Sequence, residues 1–194
     1  LELFYNGRFG LNFVRYEFVK LFVAGLNYLV DKQGEEEVEK FWRALGKNLP
    51  LRRELTPEMV LESVKVDAEV QRSHLCGPSG LGDLTVVEEK DRYVVTADPC
   101  GTGGRARKDR LANVTKKAYP WSWGKAGVPY HCCHCSVWWE MMAIEDRGFP
   151  LKIHENVDNL DGPCIHLYYK SPELIPDKYF ERLGKKKDPS KFKK

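Results

Sequence analysis

The feature that most constrains this chain is a change of hydrophobic period midway along it. From Arg15 to Val30 the apolar positions Phe18, Leu21, Phe22, Leu26, Leu29 and Val30 recur at spacings of three and four. After a break at Asp31–Gly34, a second run of the same kind carries Val38, Phe41, Trp42 and Leu45. This spacing gathers apolar side chains on one helical face, so two amphipathic helices are expected, the second stopping at Gly46. A third helix is expected to open with Thr56 as its cap and Pro57 in its first turn, and to continue through Met59, Val60 and Val64. Its end is ambiguous, because Val64, Val66, Ala68 and Val70 also alternate as in a strand.

Further on the period becomes two. Leu84–Glu88 and Tyr93–Ala97 are rich in β-branched residues and are joined by Glu89–Arg92, which predicts a hairpin. A long loop rich in Gly and Lys follows from Asp98 to about Tyr130. A helix is then expected from about Cys133 to Arg147, ended by Gly148 and Pro150, with Val137, Trp138, Met141 and Ile144 facing inward. A second hairpin closes the order, its strands Leu151–Val157 and Pro163–Tyr169 flanking the turn Asp158–Gly162. The expected class is α+β, with N-terminal helices packed on an antiparallel sheet built from two β-hairpins with a helix between them.

With 194 residues and 42% hydrophobic content, one core accounts for the chain. The expected organisation is a single domain over 1–184, helical over 1–75 and formed of sheet and a cysteine-rich region over 76–184, followed by a basic flexible tail 185–194. That tail holds six Lys and one Asp, which leaves the rest of the chain with 25 basic and 27 acidic groups. A body so close to neutrality carries no electrostatic footprint for nucleic acid. The longest apolar run, Leu21–Val30, is interrupted by Asn27 and is about half the ~20 residues of a spanning helix, so no membrane partner is expected. No secretory signal pattern opens the sequence, and a cytoplasmic protein is expected. A homo-oligomer is left open.

Six cysteines stand at 76, 100, 132, 133, 135 and 164, three of them crowded into His131-Cys132-Cys133-His134-Cys135. Crowding of this kind suits metal or thiolate chemistry better than a framework of spaced disulfides. If the cluster starts a helix, the helix dipole and unpaired N–H groups should lower its thiol pKa values. Cys132 and Cys135 have the C-x-x-C spacing, and Cys100 and Cys164, about thirty residues away on either side, would complete a set of four ligands. Zinc accepts Cys and His in tetrahedral geometry, whereas an iron–sulfur cluster would take four thiolates.

The segment Asp98-Pro-Cys-Gly-Thr-Gly-Gly-Arg-Ala-Arg107 would let Gly101, Gly103 and Gly104 turn backbone N–H groups inward as an anion nest, with Arg105 and Arg107 clamping a carboxylate. Neither a Rossmann fingerprint nor a P-loop is present. The turn Gly77–Gly82, with His74 and Cys76 just before it, is a weaker feature. In the second hairpin, Leu151, Ile153, Ile165, Leu167 and Tyr169 should form the packed face. Lys152, His154, Asn156, Cys164, His166 and Tyr168 fall on the opposite face, where register could bring two imidazoles and a thiol together. Glu140, five residues after Cys135, could serve as a general base beside a metal-bound water.

From about Tyr93 to Lys170 the order of strand, cysteine loop, cysteine-rich helix start, helix and hairpin resembles the L-2-amino-thiazoline-4-carboxylate hydrolase-like family and the wider 4-vinyl-reductase-type small-molecule-binding domains. The residues that carry the resemblance are Gly162, Cys164, His166 and Tyr168, with a cysteine at the preceding helix start. It implies a pocket between helices and an antiparallel sheet, used either to hydrolyse a C–N or C–S bond of a small carboxylate-bearing molecule or to sense a small ligand.

Together these readings predict a metal-assisted hydrolase or lyase acting on a small anionic molecule. Cys100, Cys132, Cys135 and Cys164 would hold zinc, and His131, His134 and Glu140 would handle protons. Arg105, Arg107, Gly103 and His166 would bind substrate, with Trp121, Trp123 and Tyr130 walling the pocket. The alternatives are a non-catalytic sensing domain with a structural zinc, iron or iron–sulfur site, and a thiol oxidoreductase using Cys132 and Cys135.

Overall fold

The three helical runs at the start of the chain become α1 (Glu2–Gln33), α2 (Glu36–Gly46) and α3 (Pro57–His74). The computed structural model describes residues 2–47, 57–74, 82–101 and 103–192. The proposed cap Thr56, Cys76, the turn at 77–81 and the side chain of His74 lie outside the described residues. Gly46 is the last residue inside α2, not a stop beyond it. A Cβ there would come within 2.7 Å of the Trp138 ring, so close helix packing accounts for the glycine. The ambiguity in α3 resolves as helix. Val66 and Val70 are on its exposed side, while Val60, Val64, Asp67, Ala68 and Gln71 turn inward.

The sheet has four antiparallel strands in the order β1-β2-β4-β3: β1 (Asp83–Glu88), β2 (Arg92–Asp98), β3 (Ile153–Glu155) and β4 (Cys164–Tyr169). The fold is therefore α+β, with N-terminal helices, two hairpins and helical segments between them. Register pairs His154 with His166, His166 with Val95, and Cys164 with Ala97. Side chains alternate across a strand, so Ala97, Val95, Tyr93, Cys164, His166, Tyr168 and His154 share one face. Both faces are covered. The expected apolar face packs Ile153, Leu167 and Tyr169 against Phe149, Ile175, Tyr179 and Phe180 from the C-terminal region. On the other face, Val60 and Val64 of α3 cover Val95 and Tyr168, and the site lies beside them.

Between β2 and β3 the chain forms the short helix α4 (Gly104–Lys108), turns at Pro120–Ser122 and Tyr130–Cys132, and a helical stretch that ends as α5 (Ala143–Arg147) before Gly148. The helix expected from about Cys133 is present, but Cys135–Met142 has the wider π-helical winding, which is uncommon and is frequently found at functional sites. Its buried residues Val137 and Met141 join Leu26, Val30, Val38, Trp42, Trp121 and Trp123 in the main core.

The basic C-terminus, expected to be a flexible tail, lies against the body as far as Phe192. Lys187 donates to the carbonyls of Glu173 (2.7 Å) and Ile175 (2.8 Å), and the Phe192 ring packs edge-on to Phe149. A short helix, α6 (Lys178–Glu181), precedes it. No helix among the described residues is long and apolar enough to cross a membrane.

Candidate functional site

Three segments far apart in sequence, together with Trp123, line one small cavity of about 20 Å³. The loop after β2 contributes Cys100, Gly103 and Arg107; the turn at 132–135 contributes Cys132, His134 and Cys135; the second hairpin contributes His154, Glu155, Val157, Cys164 and His166; Trp123 closes one side. The four cysteines expected as ligands therefore line a single space. None of Cys100, Cys132, Cys133, Cys135 and Cys164 is in a disulfide.

Each wall has a local cause. A Cβ on Gly103 would stand 2.7 Å from His131 Cδ2 and 3.2 Å from Cys132 Sγ, so only glycine lets the Cys100 loop lie directly on the 130–132 turn. Two of the three glycine amides expected to form an anion nest are already engaged within the protein. Gly101 N donates to Gln71 Oε1 (2.8 Å) and Gly104 N to Cys100 O (3.1 Å). The 130–135 turn is held from behind by aromatic packing. Trp42 Nε1 donates to Tyr130 O (3.0 Å), and the Trp42 ring lies 5.7 Å from His131 and 5.3 Å from His134. Glu35, at the α1–α2 junction, accepts from Tyr130 Oη (2.7 Å), Lys116 N (2.6 Å) and Tyr119 Oη (2.9 Å).

Burial, not the helix dipole, dominates the thiols. It pushes the Cys132 thiol up to about 12 and those of Cys133 and Cys135 well above the ordinary range. Cys164 is raised first by its hydrogen bond with Cys100 and then by burial. The expected lowering at a helix start is thus overturned, because a desolvated thiolate costs more than a half-charge one turn away recovers. Cys133 does not face the cavity: its Sγ donates to Pro129 O (3.4 Å) inside the core.

The imidazoles are oriented by what their Nδ1 atoms meet. His134 Nδ1 is 2.6 Å from His131 O, a carbonyl that can only accept, so the proton sits on Nδ1 and Nε2 accepts from Cys135 Sγ (3.3 Å). His154 Nδ1 lies 3.1 Å from Glu140 Oε1, and His166 Nδ1 lies 2.7 Å from Asp67 Oδ2. Burial, with His166 and Lys152 nearby, holds His154 well below the ordinary imidazole range, so it is neutral. Burial alone would raise Asp67, but Lys152 and His166 hold its carboxyl well below the usual carboxylate range.

The sequence suggests Glu140 as a base at the cavity, and the structure places it behind the cavity wall. Its Oε1 accepts from Trp123 Nε1 (2.8 Å), His154 N (2.9 Å) and His154 Nδ1, and its Oε2 from Arg182 Nη2 (2.6 Å). With its oxygens already committed to these donors, it holds His154 and does not accept protons from a ligand. Burial raises its pKa against the pull of Arg182.

Arg107 is 1% exposed and lines the cavity; its Nη2 donates to Gly162 O, and its nearest ionisable neighbours are the thiols of Cys164, Cys132 and Cys100. Its Nε and Nη1 meet no oxygen or nitrogen acceptor among the described residues. Arg105, two positions earlier on α4, projects to the other side near Tyr16 and is not in the wall, so the expected two-arginine clamp reduces to one. His131 is buried behind Gly103 and the Trp42 ring. Trp121 stacks on Tyr119 (4.5 Å), and Tyr130 serves Glu35, which leaves Trp123 alone of the three expected aromatic walls.

Asp67 and Gln71 join the site without having been expected there, while Lys152, expected on the face of His154 and His166, is paired with Asp67 (3.1 Å). The sequence signal of Asp67 and Gln71 is a carboxylate and an amide on the inward stripe of α3, where Val60, Val64 and Ala68 are otherwise apolar. At these side-chain positions, no three His, Cys, Asp or Glu groups among the described residues meet around one point at ligand distance. Comparison with family models, curated proteins and solved structures returns no match for this chain.

Proposed function

We propose that this pocket takes up a zinc ion through its thiols and acts as a metal-assisted hydrolase or lyase on a small carboxylate-bearing molecule. One observation carries the reading: Cys100, Cys132, Cys135 and Cys164, drawn from three distant segments, line the same space as a buried arginine whose Nε and Nη1 meet no oxygen or nitrogen acceptor among the described residues. Four thiols in one cavity have no packing rationale that Ala or Val would not serve, and a metal relieves their burial by replacing thiol protons. When bound, zinc would supply Lewis acidity and, with one thiol giving way or a fifth position taken up, a water that ionises near neutral pH. Arg107 orients the substrate carboxylate, and Trp123 and Val157 give the pocket its apolar wall. Water then cleaves a C–N or C–S bond, its hydroxyl going to carbon and its proton to the departing nitrogen or sulfur. The resemblance to the L-2-amino-thiazoline-4-carboxylate hydrolase-like family supports the same direction, since Cys164 and His166, two of the residues that carry it, line the cavity. The raised thiols weigh against a dithiol oxidoreductase, because the thiolate is the reactive species.

The test is turnover of L-2-amino-thiazoline-4-carboxylate and related small cyclic carboxylates by the full chain, with zinc and after chelation. Metal-dependent turnover that is lost in Arg107→Gln while the fold is kept supports the reading, and turnover indifferent to chelation overturns it. Zinc uptake with no turnover of any member of the panel would replace the enzyme with a metal-dependent sensing domain.

A further inference from the structure

We propose that His154 and His166 are the nitrogen ligands of a mixed thiolate–imidazole zinc site, each locked in place by its own buried carboxylate. The inference rests on the metal reading above and names the ligand set within it.

The two residues face each other across the β3–β4 ladder, with ring centroids 4.9 Å apart, and both line the cavity. Glu140 holds Nδ1 of His154 and Asp67 holds Nδ1 of His166. A carboxylate can only accept, so each Nδ1 is the nitrogen that carries a proton and each Nε2 is the one left for a metal. His154 Nε2 is buried and has no hydrogen-bond partner among the described residues. A carboxylate behind Nδ1 and a bare lone pair on Nε2 is the arrangement of an imidazole built to hold a metal.

Each carboxylate is in turn fixed by one cation, Asp67 by Lys152 (3.1 Å) and Glu140 by Arg182 (2.6 Å). The second layer is therefore charge-balanced without the metal. Two thiolates and two neutral imidazoles around Zn²⁺ also sum to zero, whereas four thiolates would leave two net negative charges beside Arg107 and the Asp67-paired Lys152. In a desolvated space the neutral set is favoured. It also leaves Nε and Nη1 of Arg107 for a substrate anion. Cysteine has one rotatable side-chain bond before its sulfur, so thiols turning toward fixed imidazoles can close the site.

The experiment is zinc-edge X-ray absorption on the full chain loaded with zinc, together with zinc affinity by chelator competition for wild type, His154→Gln, His166→Gln, Glu140→Gln and Asp67→Asn. The expected shell holds two nitrogens at ~2.0–2.1 Å and two sulfurs at ~2.3 Å. Affinity is expected to fall by about 10- to 100-fold in the two carboxylate variants and further in the two histidine variants. An all-sulfur shell, or histidine variants that bind zinc like wild type, overturns the inference while the metal reading stands. A wild-type chain that takes up no zinc overturns both. The wild-type absorption measurement decides the ligand set even if a variant fails to fold.

Discussion

Replacing Glu140 by Gln tests whether the site rests on a buried, ionised carboxylate. Glu140 is 0% exposed and accepts through Oε1 from Trp123 Nε1, His154 N and His154 Nδ1, and through Oε2 from Arg182 Nη2. Glutamine has the same shape but only one acceptor oxygen. If that oxygen serves the Trp123 and His154 donors, the amide NH₂ must face Arg182, donor against donor. Arg182 is then left charged and largely enclosed, since its side chain is only 17% exposed. Removing one partner of a buried pair costs about 3–5 kcal/mol. Stacking of the Arg182 guanidinium on Tyr179 and Trp123 keeps it partly stabilised, which places the expected loss near the lower figure, ~3 kcal/mol. For a chain of this length that corresponds to a Tm lower by roughly 6–12 °C. Urea unfolding followed by circular dichroism should show a lower midpoint with an unchanged slope. A loss below about 1 kcal/mol would mean that the Glu140–Arg182 pair is not the anchor described here.

Three further outcomes are expected. Gly103→Ala places a Cβ 2.7 Å from the His131 ring, and overpacking of this kind should cost about 1–3 kcal/mol and weaken zinc uptake; unchanged stability by urea unfolding would contradict the close approach of the two loops. Cys133→Ala should leave zinc stoichiometry unchanged and Cys132→Ala should lower it, because only Cys132 faces the cavity; metal analysis showing the reverse would reassign the two thiols. Glu35 is pulled below its ordinary pKa by Tyr130, the Lys116 amide and Tyr119, against a burial effect that alone would raise it. Its contribution is therefore present above its unfolded value of about 4.3 and is lost as pH falls through the lower folded value. The stability gap between wild type and Glu35→Gln should narrow as unfolding is followed from about pH 6 to pH 3, and a gap independent of pH would contradict the assignment.

How much of this is legible in the sequence depends on the range of the interaction. Periodicity carries the helices around Leu26 and Trp42, and alternation carries both hairpins, including the face shared by Cys164, His166 and Tyr168, because these are local patterns set by one face being buried. The convergence of Cys100, Cys132, Cys135 and Cys164 is also readable, since those residue types have few reasons to cluster other than shared chemistry. Asp67 escapes a sequence reading because its partner His166 lies 99 positions away and nothing local marks a carboxylate as paired. Glu140 stands out in the sequence but its task does not, for its burial depends on Arg182 and Trp123, which only the folded chain brings together. The π-helical winding at Cys135–Met142 has no residue signature. The thiol pKa values follow burial, which composition does not report, and a run of C-terminal lysines does not disclose that Phe192 packs on Phe149.

The central claim is that the cavity thiols bind a metal. Its most direct test is elemental analysis and visible spectroscopy of the full chain purified anaerobically, alongside Cys132→Ser prepared in the same way. The account predicts about one zinc per colourless wild-type chain, and little in the variant. A wild-type chain with no metal after exposure to excess zinc, or a variant that retains the wild-type content, would contradict it.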